Sequence, residues 1–327
     1  LQRLGRLVLG LCVLLAVARL GDALARQHFY APGPLPHPAD IVVPPGATKA
    51  VAAVLRRDDA ITGGWAFRAA AWMTRHDGPV HAGEFLLPAH ASLAEVLAVL
   101  RHAAPVQHHV TIPEGLTGAQ IAVIINAAPD AAGHIAPPPQ GAVLPQTYDY
   151  TLGTPRAAIL ARAEAALRAT LAAAWSGRDP ATPLAAPRDA LILASIVQQE
   201  SPLGAELPEI AAVYENRLNQ GMRLQADPTV IFAASNGRAS GGVPITRADL
   251  VSPSPYNTYL VTGLPPGPIC APGMAAIEAV LHPADSNAIY FVATGKGGHV
   301  FAATFKQQLQ NIARYQGKEA LLFVNKK

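Results

Sequence analysis

The sequence is poor in charge. Aspartate, glutamate, lysine and arginine together supply 14% of its 327 residues, and the formal net charge is only +3. No basic stripe interleaved with aromatics runs through it, so no nucleic-acid partner is expected. Cysteine is nearly missing: Cys12 lies in an apolar N-terminal segment and Cys270 in a Pro/Gly-rich stretch. Such a pair offers no disulfide framework. Neither CxxC nor HExxH occurs, so the sequence argues for no metal, and no cofactor is expected. Aromatic residues make up 6%. Alanine is plentiful, there are 30 prolines, and the hydrophobic share of 50% excludes wholesale disorder. The length suits roughly two domains with accessory segments.

The N-terminus is apolar from Leu7 to Ala18, flanked by Arg6 and Arg19. A run this short suits a signal-peptide core, and Ala23-Leu24-Ala25 resembles a small-x-small cleavage site. Extended to Leu4 and Leu20, with both arginines reaching for the interface, it becomes a marginal membrane span. Basic residues balance across the run, so the positive-inside rule gives no orientation. Either reading places the rest of the chain outside the cytoplasm; a buried helix of a soluble protein is the third alternative. Residues 1–26 are therefore set apart, followed by a Pro-rich linker, 27–39, whose prolines favour extended backbone.

A weak repeat follows. Ile41 to Thr48, Phe85 to Ser92 and Val110 to Thr117 each suggest a short strand, a tight turn and a Ser/Thr cap ahead of a helix. The helices are expected at Lys49–Arg56, Leu93–Leu100 and Gly118–Asn126. The middle copy carries His90 where the others have Gly46 and Gly115. Residues 40–104 thus form a small α+β unit, and 105–150 connect it onward. From 151 to 327 the pattern is mixed α/β. Thr151–Ala174 is helical, with Ile159, Ala163, Ala166 and Leu167 on one face. Arg188–Gln199 is a largely apolar helix that delivers Glu200 at its end, where Pro202 stops it. A further helix runs from about Pro208 to Gly221, then a loop, Met222–Val230. Ile289–Val292 and His299–Phe301 flank Gly295-Lys296-Gly297-Gly298 as a hairpin.

Glu200 is the residue with chemistry in view. A carboxylate closing an apolar helix, with Ile196 and Val197 one turn before it, is partly desolvated. Desolvation favours the neutral acid, the form that protonates a leaving oxygen. From position alone, an ordinary solvated helix-end glutamate is the competing reading.

The segment Ala194-Ser195-Ile196-Val197-Gln198-Gln199-Glu200-Ser201 resembles the catalytic segment of the YceG-like endolytic murein transglycosylases, the MltG family. The likeness continues through Val213-Tyr214-Glu215-Asn216-Arg217-Leu218 and Gly221–Val230. Further blocks are Pro255-Tyr256-Asn257-Thr258-Tyr259, Gly263–Ile269, Tyr290–Ala293 and Gly297–Phe301. The resemblance implies an α+β fold: a LysM-like subdomain at 40–104 and a catalytic domain at 151–327, behind one N-terminal transmembrane helix. It favours the anchor over the cleaved signal, in the inner membrane with the catalytic domain in the periplasm. Its implied partners are peptidoglycan glycan strands and peptidoglycan synthases. It makes Glu200 the acid/base residue of a lytic transglycosylase that leaves 1,6-anhydro ends and terminates strand elongation.

Gln225, Asp227, Tyr256, Asn257 and Tyr259 are the candidate substrate contacts, amides for hydroxyl and acetamido groups and rings for stacking. Loop architecture competes with each of them, and Asp227 before a proline also suits a turn. His299, on an expected strand, is assigned a structural part, and His108-His109 solvated surface. Departures from the family pattern are Gln198 and Gln146, where acids are usual, Ser201 for threonine, Gln140 for glutamate, and Gln308-Leu309 for a His-Asn pair. Two rival functions stay open. One is an inverting hydrolase with Asp227 or Asp249 as base; the other is a non-catalytic wall-binding scaffold.

Overall fold

The computed structural model describes residues 2–317, with the backbone alone for residues 2–5, 7 and 8. It divides into two units, Leu1–His108 with Tyr150–Gly153, and His109–Asp149 with Thr154–Lys327.

The first unit begins with helix α1, Gln2–Tyr30. The helix therefore runs past the expected boundary at residue 26. Part of the expected anchor, including Leu4 and Leu7, has side chains outside the described residues. Among the described residues no helix is long and apolar enough to cross a membrane. Strand β1 (Ala39–Val43), α2 (Thr48–Arg57), α3 (Gly64–Met73), β2 (Gly83–Leu87) and α4 (Leu93–His102) follow. The two strands pair antiparallel with Ile41 opposite Phe85. The period-2 alternation of strands then turns Ile41, Val43, Phe85 and Leu87 inward and leaves Val42 and Leu86 exposed. Leu55, Phe67, Val96 and Leu100 close the core beneath them.

Local sequence explains most of these elements. Ser92 caps α4 reciprocally with Glu95. Thr48, expected to cap α2, is its first helical residue instead, and Ala47 holds the cap position without a side-chain bond. His90 takes the left-handed backbone, φ 55°, that Gly46 and Gly115 take in the sister turns. It is held there from both sides: its N–H donates to Leu35 O at 2.7 Å and its carbonyl accepts from Gly33 N–H at 3.0 Å. The Pro-rich stretch is thus docked along the unit, with Leu35 buried, rather than standing off as a free spacer. Helix α3 is absent from the sequence reading because Gly63-Gly64 masks its start. His108 is half-buried, 2.6 Å from Glu84 and stacked on Tyr150, and so is not simple solvated surface.

Beyond it, β3 (His108–Thr111) and β4 (Thr147–Tyr150) pair in a second sheet. Then come α5 (Gly118–Asn126), α6 (Arg156–Ser176), α7 (Pro187–Glu200) and α8 (Leu207–Asn219). Thr117 caps α5 with Gln120, as its sequence suggests. The loop expected over 222–230 ends early, because Asp227 opens helix α9 (Asp227–Ala234) and Pro228 fits its first turn. Helices α10 (Arg247–Val251) and α11 (Met274–Leu281), the hairpin β5 (Tyr290–Ala293) and β6 (His299–Ala302), and α12 (Phe305–Tyr315) complete the unit. The hairpin pairs Phe291 with Phe301.

Helix α7 is the centre of this unit. Leu193, Ala194, Ile196 and Val197 are buried against Ile210, Ala211 and Tyr214 of α8 and Ile277 and Val280 of α11. Its one buried hydroxyl is satisfied: Ser195 Oγ donates to Ile192 O and accepts from Ile269 N–H at 3.0 Å. A helix apolar on nearly every face is fixed in rotation, so its last residue is held in one place.

Candidate active site

Glu200 is that last residue. Ser201 leaves the helix with extended backbone, and Pro202 bars continuation. The carboxyl is half-buried and meets the hydroxyl of Tyr214, which donates to its Oε1 at 2.5 Å. Tyr214 comes from the middle of α8, is almost wholly buried, and leans edge-on against Phe291. Burial pushes the Glu200 carboxyl up to about 7; the Tyr214 hydrogen bond and the Arg217 charge pull it down, and the Asp227 charge adds to the rise. The negative end of the α7 dipole acts in the same upward direction. Burial and the Glu200 charge hold the Tyr214 hydroxyl well above its ordinary value, so it remains a donor.

A second carboxylate–tyrosine pair lies within electrostatic reach. Tyr259 donates to Asp227 Oδ1 at 2.5 Å, and both Asp227 and Glu200 raise the Tyr259 hydroxyl further. Asp227 itself is exposed, at the first turn of α9. Arg217 is buried with its guanidinium committed to backbone, donating to Ile289 O at 2.7 Å and Leu224 O at 2.5 Å. It lies over the Tyr290 ring, 5.5 Å from the centroid. Its charge bears on Glu200, Tyr214 and Tyr259 without a direct ion pair.

The other expected contacts divide. Gln225 is exposed in a left-handed conformation, φ 52°, with its N–H donating to Thr258 O. Tyr256 is half-buried, its ring tilted against that of Phe232 with centroids 4.8 Å apart. Asn257 is 1% exposed, and its amide donates to Asp249 O, Leu250 O and Ser252 O while accepting from Tyr259 N–H. Both ends of the amide are engaged within the loop, which makes it the competing loop framework. What it does is hold the Tyr259 backbone beside Asp227.

Two threonines complete that support. Thr258 Oγ1 accepts from Ala226 N–H at 2.9 Å and lies 2.8 Å from Thr229 Oγ1, both side chains fully buried. Thr229, Thr258 and Tyr214 all fall within the family-like blocks, but nothing in the residues themselves singled them out for the site.

The positions that depart from the family pattern serve as framework. Gln198 Oε1 accepts from Gly273 N–H at 2.8 Å, and Gln140 joins Gly118 N–H to Gly237 O. Gln308 donates to Phe291 O. Ser201 donates to Glu206, which also takes the backbone N–H of His299 and sits 2.8 Å from its Nδ1. His299 is therefore a strut between β6 and the turn after α7. Among the described residues no cluster of His, Cys, Asp or Glu could hold a metal ion.

The YceG-like family matches this chain over residues 41–314. An endolytic murein transglycosylase of Bacillus subtilis (strain 168) is 41% identical over 125 residues, 38% of this chain and 34% of that protein. Endolytic murein transglycosylases of two Streptococcus pneumoniae strains are 33% identical over 129 residues, 38% of this chain and 23% of theirs. The chain thus spans about a third or less of the length of these relatives. Among solved structures, a yceG-like protein from Listeria monocytogenes aligns with a TM-score of 0.51 over 84% of this chain and 98% of that one. At 24% identity, that likeness is one of fold.

Proposed function

The chain belongs to the YceG-like family, and on that footing we propose that it is an endolytic lytic transglycosylase of peptidoglycan with Glu200 as its one acid/base residue. The observation that carries the reading is a carboxyl pushed up to about 7 at the end of a buried helix, hydrogen-bonded to Tyr214. Near neutral pH such a group is present both as acid and as base, which the reaction uses in turn.

Glu200 gives its proton to the oxygen joining N-acetylmuramic acid C1 to N-acetylglucosamine, and the C1–O bond breaks. The 6-hydroxyl of the same muramic residue then bonds to C1, and the Glu200 carboxylate takes the hydroxyl proton. The products are a 1,6-anhydro end and a free 4-hydroxyl, with no water consumed and Glu200 restored to the acid. Intramolecular attack replaces the second carboxylate that a hydrolase needs; well-oriented cases reach effective molarities of about 10⁵ M or more. Tyr214 keeps the carboxyl oriented, and exposed Gln225 and Asp227 with half-buried Tyr256 are the sugar contacts offered to the substrate.

The same proposal places the protein in the cell membrane, single-pass through α1, with the catalytic unit on the periplasmic side. Leu9, Leu11, Val13, Leu14, Leu15, Val17, Leu20 and Leu24 of α1 all stand exposed, a surface suited to lipid. Residues 40–104 are its LysM-like part, positioning the catalytic unit without chemistry of their own. Short tethering would keep the active site on nascent strands beside peptidoglycan synthases, where each cut terminates elongation.

A second reading has one observation in its favour. The Asp227 charge reaches Glu200, as the base of an inverting hydrolase would. Mass spectrometry of products from purified glycan strands decides: anhydro ends support transglycosylation, and reducing ends from water addition support hydrolysis.

A further inference from the structure

Helix α3 is apolar on two opposite faces. Phe67 and Ala71 point into the first unit's core. Trp65, Ala69, Trp72 and Met73 fall on the other stripe by helical spacing, and there Trp65 is 79%, Trp72 67% and Met73 66% exposed. Two of the chain's three tryptophans are therefore held largely exposed on this face. Trp65, Ala69 and Met73 of this stripe line a cavity of 530 Å³ whose other wall is the end of α1, where Ala25, Phe29 and Tyr30 stand beside Asp22, Arg26 and His28. Tyr30 is 67% exposed and sits edge-on to Phe29, 5.0 Å between centroids. The apolar side chains of α3 thus face the end of α1, whose exposed leucines lie further along the same helix.

Arginines flank the stripe on α3 and just after it, and one acid, Asp22, lines the cavity. Arg68 stands exposed on α3, which has no acid in its first turn, and Arg75 lies 4.7 Å over the Trp72 ring. The nearest acid on α1, Asp22, is taken by Arg26 at 3.0 Å. Amphipathic tryptophan and tyrosine rings beside arginines are the composition of a membrane–water interface, where rings sit at headgroup depth and guanidinium groups meet phosphates.

We propose that this face is a membrane contact, with Trp65, Trp72 and Met73 of α3 and Tyr30 of α1 lying at the headgroup–acyl boundary of an anionic phospholipid bilayer. It rests on the reading of α1 as the anchor and extends it, giving the first unit a fixed seat on the membrane. A glycan strand is the less fitting occupant. Its hydroxyls need hydrogen-bonding partners, and on the rim the Thr74 hydroxyl is committed to Ala70 O and Arg101 while Asp22 and Arg26 pair with each other.

The test uses full-length protein with vesicles of phosphatidylethanolamine and phosphatidylglycerol, part of the lipid brominated along its acyl chains. Flotation reports whether α1 binds the vesicle; tryptophan quenching reports where α3 lies. In Trp175→Phe, Trp65 and Trp72 are the remaining tryptophans, and most of their emission should be lost. In Trp65→Phe/Trp72→Phe, Trp175 should keep its emission. Should Trp175→Phe fail to fold, the difference between wild type and the double variant gives the same reading. Flotation without quenching of Trp65 and Trp72 overturns this contact and leaves the anchor standing. Loss of flotation overturns both. Emission that answers to soluble glycan strands or to self-association, and not to brominated lipid, also overturns it.

Discussion

The Tyr214 hydroxyl donates to Glu200 Oε1 at 2.5 Å, joining the middle of α8 to the end of α7. Tyr214→Phe removes that donor and leaves the ring in place. The hydrogen bond favours the carboxylate, so its loss moves Glu200 further up from about 7. The alkaline limb of the kcat/KM profile should move to higher pH, while kcat falls about tenfold from lost orientation, the equivalent of one good hydrogen bond. An unmoved limb would mean that Tyr214 only fills space.

Asp227→Asn should push the profile the other way. The Asp227 charge raises Glu200, so neutralising it lowers the Glu200 carboxyl and brings the alkaline limb down. Activity should fall far less than in Glu200→Gln. Opposite shifts from Tyr214→Phe and Asp227→Asn test the electrostatic account of the site. An Asp227→Asn loss as deep as that of Glu200→Gln would point to a second catalytic carboxylate.

Glu200 also costs stability at alkaline pH. Its folded carboxyl lies near 7 against an ordinary value of 4.5, so the native state holds this proton more tightly than the unfolded chain. The contribution is intact below the unfolded value and is lost as pH rises through the folded one. Glu200→Gln has no such proton to lose, so urea unfolding at pH 8 should find it more stable than wild type, by up to about 3 kcal/mol. The advantage should shrink as pH falls toward 4.5. Equal stabilities at pH 8 would place the carboxyl in ordinary solvent.

Asn257 and Gln225 separate a framework residue from a contact residue. Asn257→Ala strands the Asp249, Leu250 and Ser252 carbonyls and the Tyr259 N–H. It should destabilise by about 1–3 kcal/mol in urea unfolding. Gln225→Ala, at an exposed position, should leave the unfolding midpoint nearly unchanged and raise KM. The reverse pattern would exchange their roles.

The sequence exposed α7 well, because an apolar run between Pro187 and Pro202 can only be a buried helix with Glu200 at its end. Capped helices α4 and α5 were equally plain, since Ser92 and Thr117 each stand three residues before a Glu or Gln. Helix α9 was hidden, because Asp227-Pro228 suits a turn and a first helical turn alike. The Tyr214 contact was hidden for a different reason. A tyrosine at core spacing looks like core until the packing of α8 on α7 turns its hydroxyl toward Glu200. For Asn257 the sequence left contact and loop framework open, because an amide serves a sugar or a backbone equally well on paper, and its burial favours the framework.

The most direct test of the account is the product spectrum of Glu200→Gln on purified glycan strands. Glutamine keeps the shape and can still accept from Tyr214, so the fold and glycan binding should persist. It can neither protonate the leaving oxygen nor take the 6-hydroxyl proton. General acid/base catalysis is typically worth about 10² to 10⁴-fold, and one residue serving both steps should lie at the upper end. Mass spectrometry should find anhydro ends from wild type and almost none from the variant. Abundant anhydro ends from correctly folded Glu200→Gln protein would contradict the account.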